Sequence, residues 1–306
     1  VRRALDRIDP SILLYGEGWT AARSPLDESL RAVKRAGPRL PRIAVFDDDL
    51  RDALRGGWGD STEPGFVSGK SGLDRNVRFG VVGATAHFQV GFDSSGDSPV
   101  AYGGHSAETI NYVSCHDALS LVDKLRASAP EGMTEEELVR FDKLAQTVVL
   151  TAQGIPSLFA GEEMLRTKGG VSNSHDSPDR VNRIDWSFKA DHKDVFDYYR
   201  GLIALRRTHP AFRLATAAEI ERHLRFLDTG DTHVVAYMLV DHAGDDPWRE
   251  ILVVYNGARA EKRVRIPPGD WHAVCLDGRI ASEALAVFSG DSVPVPASSA
   301  LIAYLP

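Results

Sequence analysis

The run Leu-Leu-Tyr-Gly-Glu-Gly-Trp at residues 13–19 combines a short apolar segment with an acid held between two glycines. Residues 12–14 are predicted to form a short buried strand, and the glycines allow a sharp turn where that strand ends. Glu17 then lies at the C-terminal end of the strand. Apolar neighbours raise the pKa of a carboxyl by desolvating its charged form, so Glu17 is the first candidate for a proton donor. Trp19 offers a flat ring suited to stacking on a sugar.

The composition of the 306 residues, 43% hydrophobic and 26% charged, is typical of a globular chain with one large and one small domain. A net charge of -7 and the absence of a Lys/Arg run argue against a nucleic-acid partner. No apolar run is long enough to span a bilayer, so no membrane partner is expected either. The first residues read as the tail of a helix, and the chain is expected to begin inside a domain.

The first two-thirds of the sequence alternate short apolar runs with helical patterns. After the first strand, further strands are predicted at residues 41–46, 109–114 and 155–160. Their ends carry the Asp47 acidic cluster, His116 with Asp117, and Glu162. Thr134 and Glu137 form a capping box that starts the longest helix. Alternating strands and helices predict a parallel sheet of βα units.

From about residue 218 the pattern changes from helical to alternating, with turn signals between the runs. This is typical of an antiparallel β domain. The sequence therefore predicts two units: an α/β unit at residues 1–217 and a small β-sandwich at residues 218–306.

Strand C-terminal ends form the active site of a (β/α)₈ barrel, and four such ends carry acids here. Four strands cannot close that barrel, so they are predicted to be one half of it. A retaining glycosidase needs a proton donor and a carboxylate nucleophile about 5 Å apart. Glu17 suits the donor role, Asp117 can brace the sugar, and His116 can donate to a sugar hydroxyl. Taken alone, a His-Asp pair is more often a surface feature, and the Asp47 cluster is predicted to be a solvated loop.

Five ordered segments carry a family resemblance, at residues 14–19, 46–53, 111–117, 154–163 and 173–186. The first four resemble the motifs at the fifth to eighth barrel strands of the α-amylase superfamily of glycoside hydrolases. The fifth is similar to a sugar-binding loop of the type I pullulanases within that superfamily. The resemblance implies the second half of a TIM barrel, strands five to eight, followed by a β-sandwich domain.

The resemblance also implies roles for individual residues. Glu17 corresponds to the general acid and base, Asp117 to the transition-state stabiliser, and His116 to a sugar ligand. Further sugar contacts are expected from Trp19, Tyr15, Asn173 and Asp179. The implied activity is α-glucan debranching, the retaining hydrolysis of α-1,6 bonds in pullulan, branched starch or glycogen.

The family motif that carries the nucleophilic Asp precedes the general acid, and this sequence begins after it. The chain alone is therefore expected to be inactive, and the missing N-terminal half of the barrel is expected as its partner beside the α-glucan. No cofactor is required; the family implies structural Ca²⁺, although no metal ligands are assigned. A non-catalytic glucan-binding or structural fragment and another α-amylase-type specificity are the alternatives. The sequence does not define a cellular location.

Overall fold

A computed structural model describes residues 1–20, 23–91 and 101–306. Its first sheet has four strands that pair in chain order, and every pair is parallel. The strands are β1 (Tyr15–Gly16), β2 (Ala44–Phe46), β3 (Thr109–Asn111) and β4 (Ile155–Pro156). The predicted parallel sheet is present, with shorter strands than predicted.

The prediction of a buried strand at residues 12–14 is wrong. The strand starts only at Tyr15, and Leu13 and Tyr15 are 45% and 57% exposed. The physical reason is the position of β1, which pairs with β2 alone among the described residues and so forms an edge of the sheet. An edge strand leaves its side chains accessible to solvent.

Helices connect and follow these strands. They are α1 (Arg2–Leu5), α2 (Asp48–Arg55), α3 (Asp74–Val81), α4 (Leu121–Ala127), α5 (Glu135–Thr151), α6 (Asp179–Asn182), α7 (Phe188–Asp191), α8 (Lys193–Thr208) and α9 (Ala217–His223). The capping box at the start of α5 is confirmed, because Thr134 Oγ1 accepts from the Glu137 amide and Glu137 accepts from the Thr134 amide. No helix in these parts of the chain is long and apolar enough to cross a membrane.

The last third of the chain forms one antiparallel sheet of seven strands. They are β5 (Leu224–Leu227), β6 (Val234–Leu239), β7 (Glu250–Asn256), β8 (Lys262–Leu276), β9 (Arg279–Ile280), β10 (Ala286–Val295) and β11 (Ser299–Leu305). The order is β10-β8-β11-β7-β6-β5, with β9 on β8. The sequence predicts a β-sandwich, which has two sheets. In the structure, hydrogen bonds join all seven strands into one sheet. The change expected near residue 218 falls within α9, and the first strand begins at Leu224.

Alternate residues of this sheet enter two cores. Tyr237 and Tyr255 belong to the core shared with the helices of the α/β part, whereas Met238 and Trp271 belong to a second core within the β-rich part. The Tyr237 hydroxyl donates to the carbonyl of Thr151, the last residue of α5. The sheet therefore packs directly on the end of the longest helix.

Candidate active site

Three side chains that are distant in sequence meet at the C-terminal ends of β1 and β3. Glu17 follows β1 directly, and His116 and Asp117 lie a few residues after β3. A carboxylate or imidazole atom from each lies within 4.8 Å of the others. His116 Nε2 lies 3.4 Å from Asp117 Oδ2. The prediction that these strand ends bring the three residues together is therefore matched by the geometry.

The enclosure expected for Glu17 is absent. Its side chain reaches solvent, as do those of His116 and Asp117, which are 75% and 44% exposed. The edge position of β1 explains this, because no strand of the described chain covers its outer side. The Glu17 carboxylate is therefore open to solvent rather than enclosed by apolar neighbours.

The three polar residues line a small pocket with aromatic walls. Its other lining residues are Trp19, Phe46, Trp58, Tyr112 and Cys115. Phe46 and Tyr112 pack edge to face, with ring centroids 4.9 Å apart. Aromatic faces beside carboxylates and an imidazole suit a sugar ring, which offers apolar C–H groups and hydroxyls.

Trp58 and Tyr112 were not among the predicted site residues. The Arg51 guanidinium lies over the Trp58 ring, 4.9 Å from its centroid, and over the Tyr112 ring at 5.4 Å. Tyr112 belongs to the quoted segment 111–117, so its position was available from the sequence. Trp58 lies in a glycine-rich stretch, and its approach depends on a tertiary contact with α2.

The structure places the remaining predicted sugar contacts outside this pocket. Tyr15 packs its ring against Phe46 at a centroid distance of 6.1 Å and does not itself line the pocket. Asn173 is exposed, and its Oδ1 lies 2.9 Å from Nδ1 of His175. Asp179 is exposed at the start of α6. Of the predicted residues, Trp19 alone joins Glu17, His116 and Asp117 in the pocket lining.

The acidic cluster after β2 is not a solvated loop, which corrects the sequence interpretation. Asp47 is fully buried and caps α2, accepting from the Leu50 amide at 3.0 Å. Burial, reinforced by the charge of Asp49, raises the pKa of Asp47 to about 7. Asp48 accepts from the Tyr112 hydroxyl at 2.6 Å and so anchors one wall of the pocket.

Glu162 lies buried behind the site. Its carboxylate accepts hydrogen bonds from the Ser114 hydroxyl, from Gln146 Nε2 at 2.9 Å and from the Phe159 amide at 3.2 Å. Burial is the largest influence and raises the pKa of Glu162 to about 7, although these donors act in the opposite direction. Because Ser114 precedes the His116 turn by two residues, Glu162 supports the strand end that carries the site.

We expect Glu162→Gln to change how stability depends on pH. The native carboxyl holds its proton up to about pH 7, whereas the unfolded one releases it near 4.5, so the contribution of Glu162 falls as pH rises between these values. The parent chain loses this contribution as pH rises, and the variant does not. The unfolding free energy of the variant minus that of the parent should therefore increase by about 1–3 kcal/mol from pH 4.5 to 8. Urea unfolding at the two pH values measures this, with Glu163→Gln as the control. A constant difference between variant and parent would contradict the assignment.

Structural Ca²⁺, which the family resemblance implies, needs several oxygen ligands grouped together. The single group of three potential metal ligands found in the described ranges is Glu17, His116 and Asp117. Calcium takes six to eight oxygen ligands, and here one of the three is an imidazole nitrogen. These residues do not fit calcium.

Comparison with known proteins identifies the relatives of this chain. The family model "Pullulanase, all-beta domain" matches residues 220–279. The chain is 36% identical to the pullulanase of Bacillus subtilis strain 168 over 258 residues, which covers 84% of the chain and 34% of that relative. The solved pullulanase from Bacillus acidopullulyticus superposes with a TM-score of 0.88 at 40% identity, covering 99% of the chain and 35% of the other.

A third relative was solved with sugars bound. The pullulanase from Paenibacillus barengoltzii, in complex with maltohexaose and α-cyclodextrin, superposes with a TM-score of 0.86 at 40% identity. That match covers the whole chain and 45% of the other protein. The chain thus spans between about a third and a half of these three relatives. Its homologues and structural neighbours are pullulanases, a family of glycoside hydrolases.

Proposed function

We propose that this chain supplies the general acid and sugar-binding part of a debranching enzyme that hydrolyses α-1,6 bonds of α-glucans with retention. The observation that carries the proposal is the meeting of Glu17, His116 and Asp117 within 4.8 Å at the ends of β1 and β3. Glu17 would donate a proton to the leaving glycosidic oxygen and later accept one from water. Asp117 would stabilise the positive charge that develops on the sugar, and His116 would hold a hydroxyl.

The aromatic walls support a sugar as the ligand of this site. Trp58 is 47% exposed, and the Arg51 guanidinium lies over its ring. The guanidinium over the Trp58 ring holds that ring in place, and the exposed part of the ring is available to stack on a sugar. The complex of the Paenibacillus relative with maltohexaose supports an α-glucan as the ligand.

The catalytic nucleophile is proposed to come from residues outside this sequence. Among the described residues, no further carboxylate lines the Glu17 pocket, whereas a retaining mechanism needs a nucleophile about 5 Å from the acid. The four parallel strands would be strands five to eight of a barrel, and the unpaired edge of β1 would receive the other half. On this proposal, the chain alone binds glucan without hydrolysing it.

Binding of maltohexaose tests the proposal on the chain itself. We expect saturable binding in calorimetry, weakened about 5- to 30-fold by Trp58→Ala, because a stacked aromatic ring contributes about 1–2 kcal/mol. Phe88→Ala provides a matched control, since Phe88 is 64% exposed and does not line the pocket. Absence of binding, or equal loss in both variants, would contradict the proposed function. Maltotriose release from pullulan by the chain alone would contradict the external nucleophile.

A further inference from the structure

Lys168 is a buried cation with an unusual set of partners. It is 2% exposed, and no ion pair within 4 Å holds its ammonium in the parts of the chain that the structure describes. Its Nζ donates instead to three backbone carbonyls, those of Ala118 at 2.5 Å, His116 at 3.4 Å and Ser172 at 3.5 Å. A buried ammonium is costly unless hydrogen bonds satisfy it, so these carbonyls account for its placement.

The three carbonyls belong to the two loops that carry predicted sugar contacts. His116 and Ala118 flank Asp117, and Ser172 directly precedes Asn173. Ala118 has a positive φ of 57°, which costs a residue with a Cβ about 1–2 kcal/mol. A cation bound to the carbonyl of Ala118 stabilises this turn and joins it to the second loop.

The backbone around Lys168 is itself held in place. Its amide donates to Asp123 Oδ2 at 2.7 Å, and the Thr167 hydroxyl donates to the other oxygen of the same carboxylate. Asp123 lies in the first turn of α4. Asp123 on α4 therefore fixes the backbone of Lys168, and the Lys168 ammonium binds the turn that carries His116 and Asp117.

We propose that Lys168 is a positioning residue that fixes the 116–118 turn against the loop beginning at Ser172, and thereby sets where His116 meets the sugar. This inference rests on the proposed glucan function and adds a role that no predicted site residue has. Lys168 does not touch the substrate; it acts through the backbone of the residues that do.

Lys143 offers a matched control for the cost of removing a buried lysine. It is 9% exposed, and its Nζ lies 3.1 Å from both Asp194 Oδ2 and the Gly278 carbonyl. None of its partners belongs to the 116–118 turn or the loop after Ser172. A loss of stability alone should therefore be common to Lys168→Met and Lys143→Met, whereas a loss of positioning should be confined to Lys168→Met.

The test measures melting temperature, maltohexaose affinity and the imidazole NMR signal of His116, assigned by its absence in His116→Gln. We expect both variants to melt earlier, and Lys168→Met alone to lose about tenfold in affinity and to shift the His116 signal. Equal affinity and unchanged signal in Lys168→Met and Lys143→Met would overturn the proposal.

A second variant and a second readout distinguish the ways in which this test can fail. If Lys168→Met does not fold, Lys168→Arg retains the charge but cannot direct its planar donors to the same three carbonyls, so a shifted His116 signal is expected. An unchanged signal would overturn the proposal. If the parent chain does not bind maltohexaose, the proposed function fails, and the His116 signal alone then decides whether Lys168 positions the turn.

Discussion

Glu17→Gln is expected to lower pullulan hydrolysis by about 10²- to 10⁴-fold in a chimaera in which this chain replaces its counterpart in the Bacillus acidopullulyticus pullulanase. Glutamine retains the shape of the side chain but cannot transfer a proton to the leaving oxygen, and a positioned general acid contributes an acceleration of this size. Initial rates of reducing-sugar release measure the effect. Glu283→Gln, an exposed position in the β-rich part, is the control and should retain the chimaera's rate.

A substrate that needs no proton donor sharpens this experiment. A maltosyl fluoride has a good leaving group, so the release of fluoride in its first turnover should lose much less than pullulan hydrolysis when Glu17 is replaced. Asp117→Asn, by contrast, should slow both substrates, because the charge that develops on the sugar is common to them. Pullulan turnover by the Glu17→Gln chimaera at the parental rate would remove Glu17 from the acid role.

Arg206→Met is expected to have the largest effect on stability. Arg206 is 7% exposed on α8, and it donates to the carbonyls of Leu150, Ala152 and Gly154 at 3.0, 2.8 and 2.5 Å. Burial lowers its pKa to about 10, which leaves it charged at neutral pH. Methionine would leave these carbonyls, at and beyond the end of α5, without their donor. We expect a loss of about 3–5 kcal/mol in the free energy of unfolding.

Urea unfolding followed by circular dichroism measures this loss. Arg200→Met is the matched control on the same helix: the Arg200 side chain is 71% exposed, and within the described ranges its ion-pair partner is Asp197, at 3.1 Å. Removing an exposed ion pair should change stability by less than about 1 kcal/mol. Equal unfolding midpoints for the two variants would show that the end of α5 does not depend on Arg206.

The polar part of the candidate site could be predicted because it depends on topology alone. Parallel strands end at one edge of a sheet, so residues that follow β1 and β3 meet whatever separates them in sequence. This rule predicts that Glu17, His116 and Asp117 meet, whereas the family resemblance singled them out from the other acids at strand ends. The capping box at Thr134 was equally accessible, since its hydrogen bonds are local.

The rest depends on contacts between distant segments. Trp58 lines the pocket because Arg51 on α2 holds its ring, and no local pattern records that contact. The burial of Asp47 was missed because a run of acids reads as solvated, whereas a helix N-terminus can hold an acid inside the protein. The exposure of Leu13 was missed for the opposite reason, since the sequence shows an apolar run but not which strand forms an edge.

The packing of the seven-stranded sheet on the end of α5 has a consequence for how the chain unfolds. Tyr237 and Tyr255 place their hydroxyls on the last turn of that helix, within a core to which α5 and α8 also contribute. The shared core therefore crosses the boundary between the two predicted units, whereas the second core lies within the β-rich part alone. We expect the α/β part and the β-rich part to unfold together, and a cleavage between them to expose apolar surface on both products.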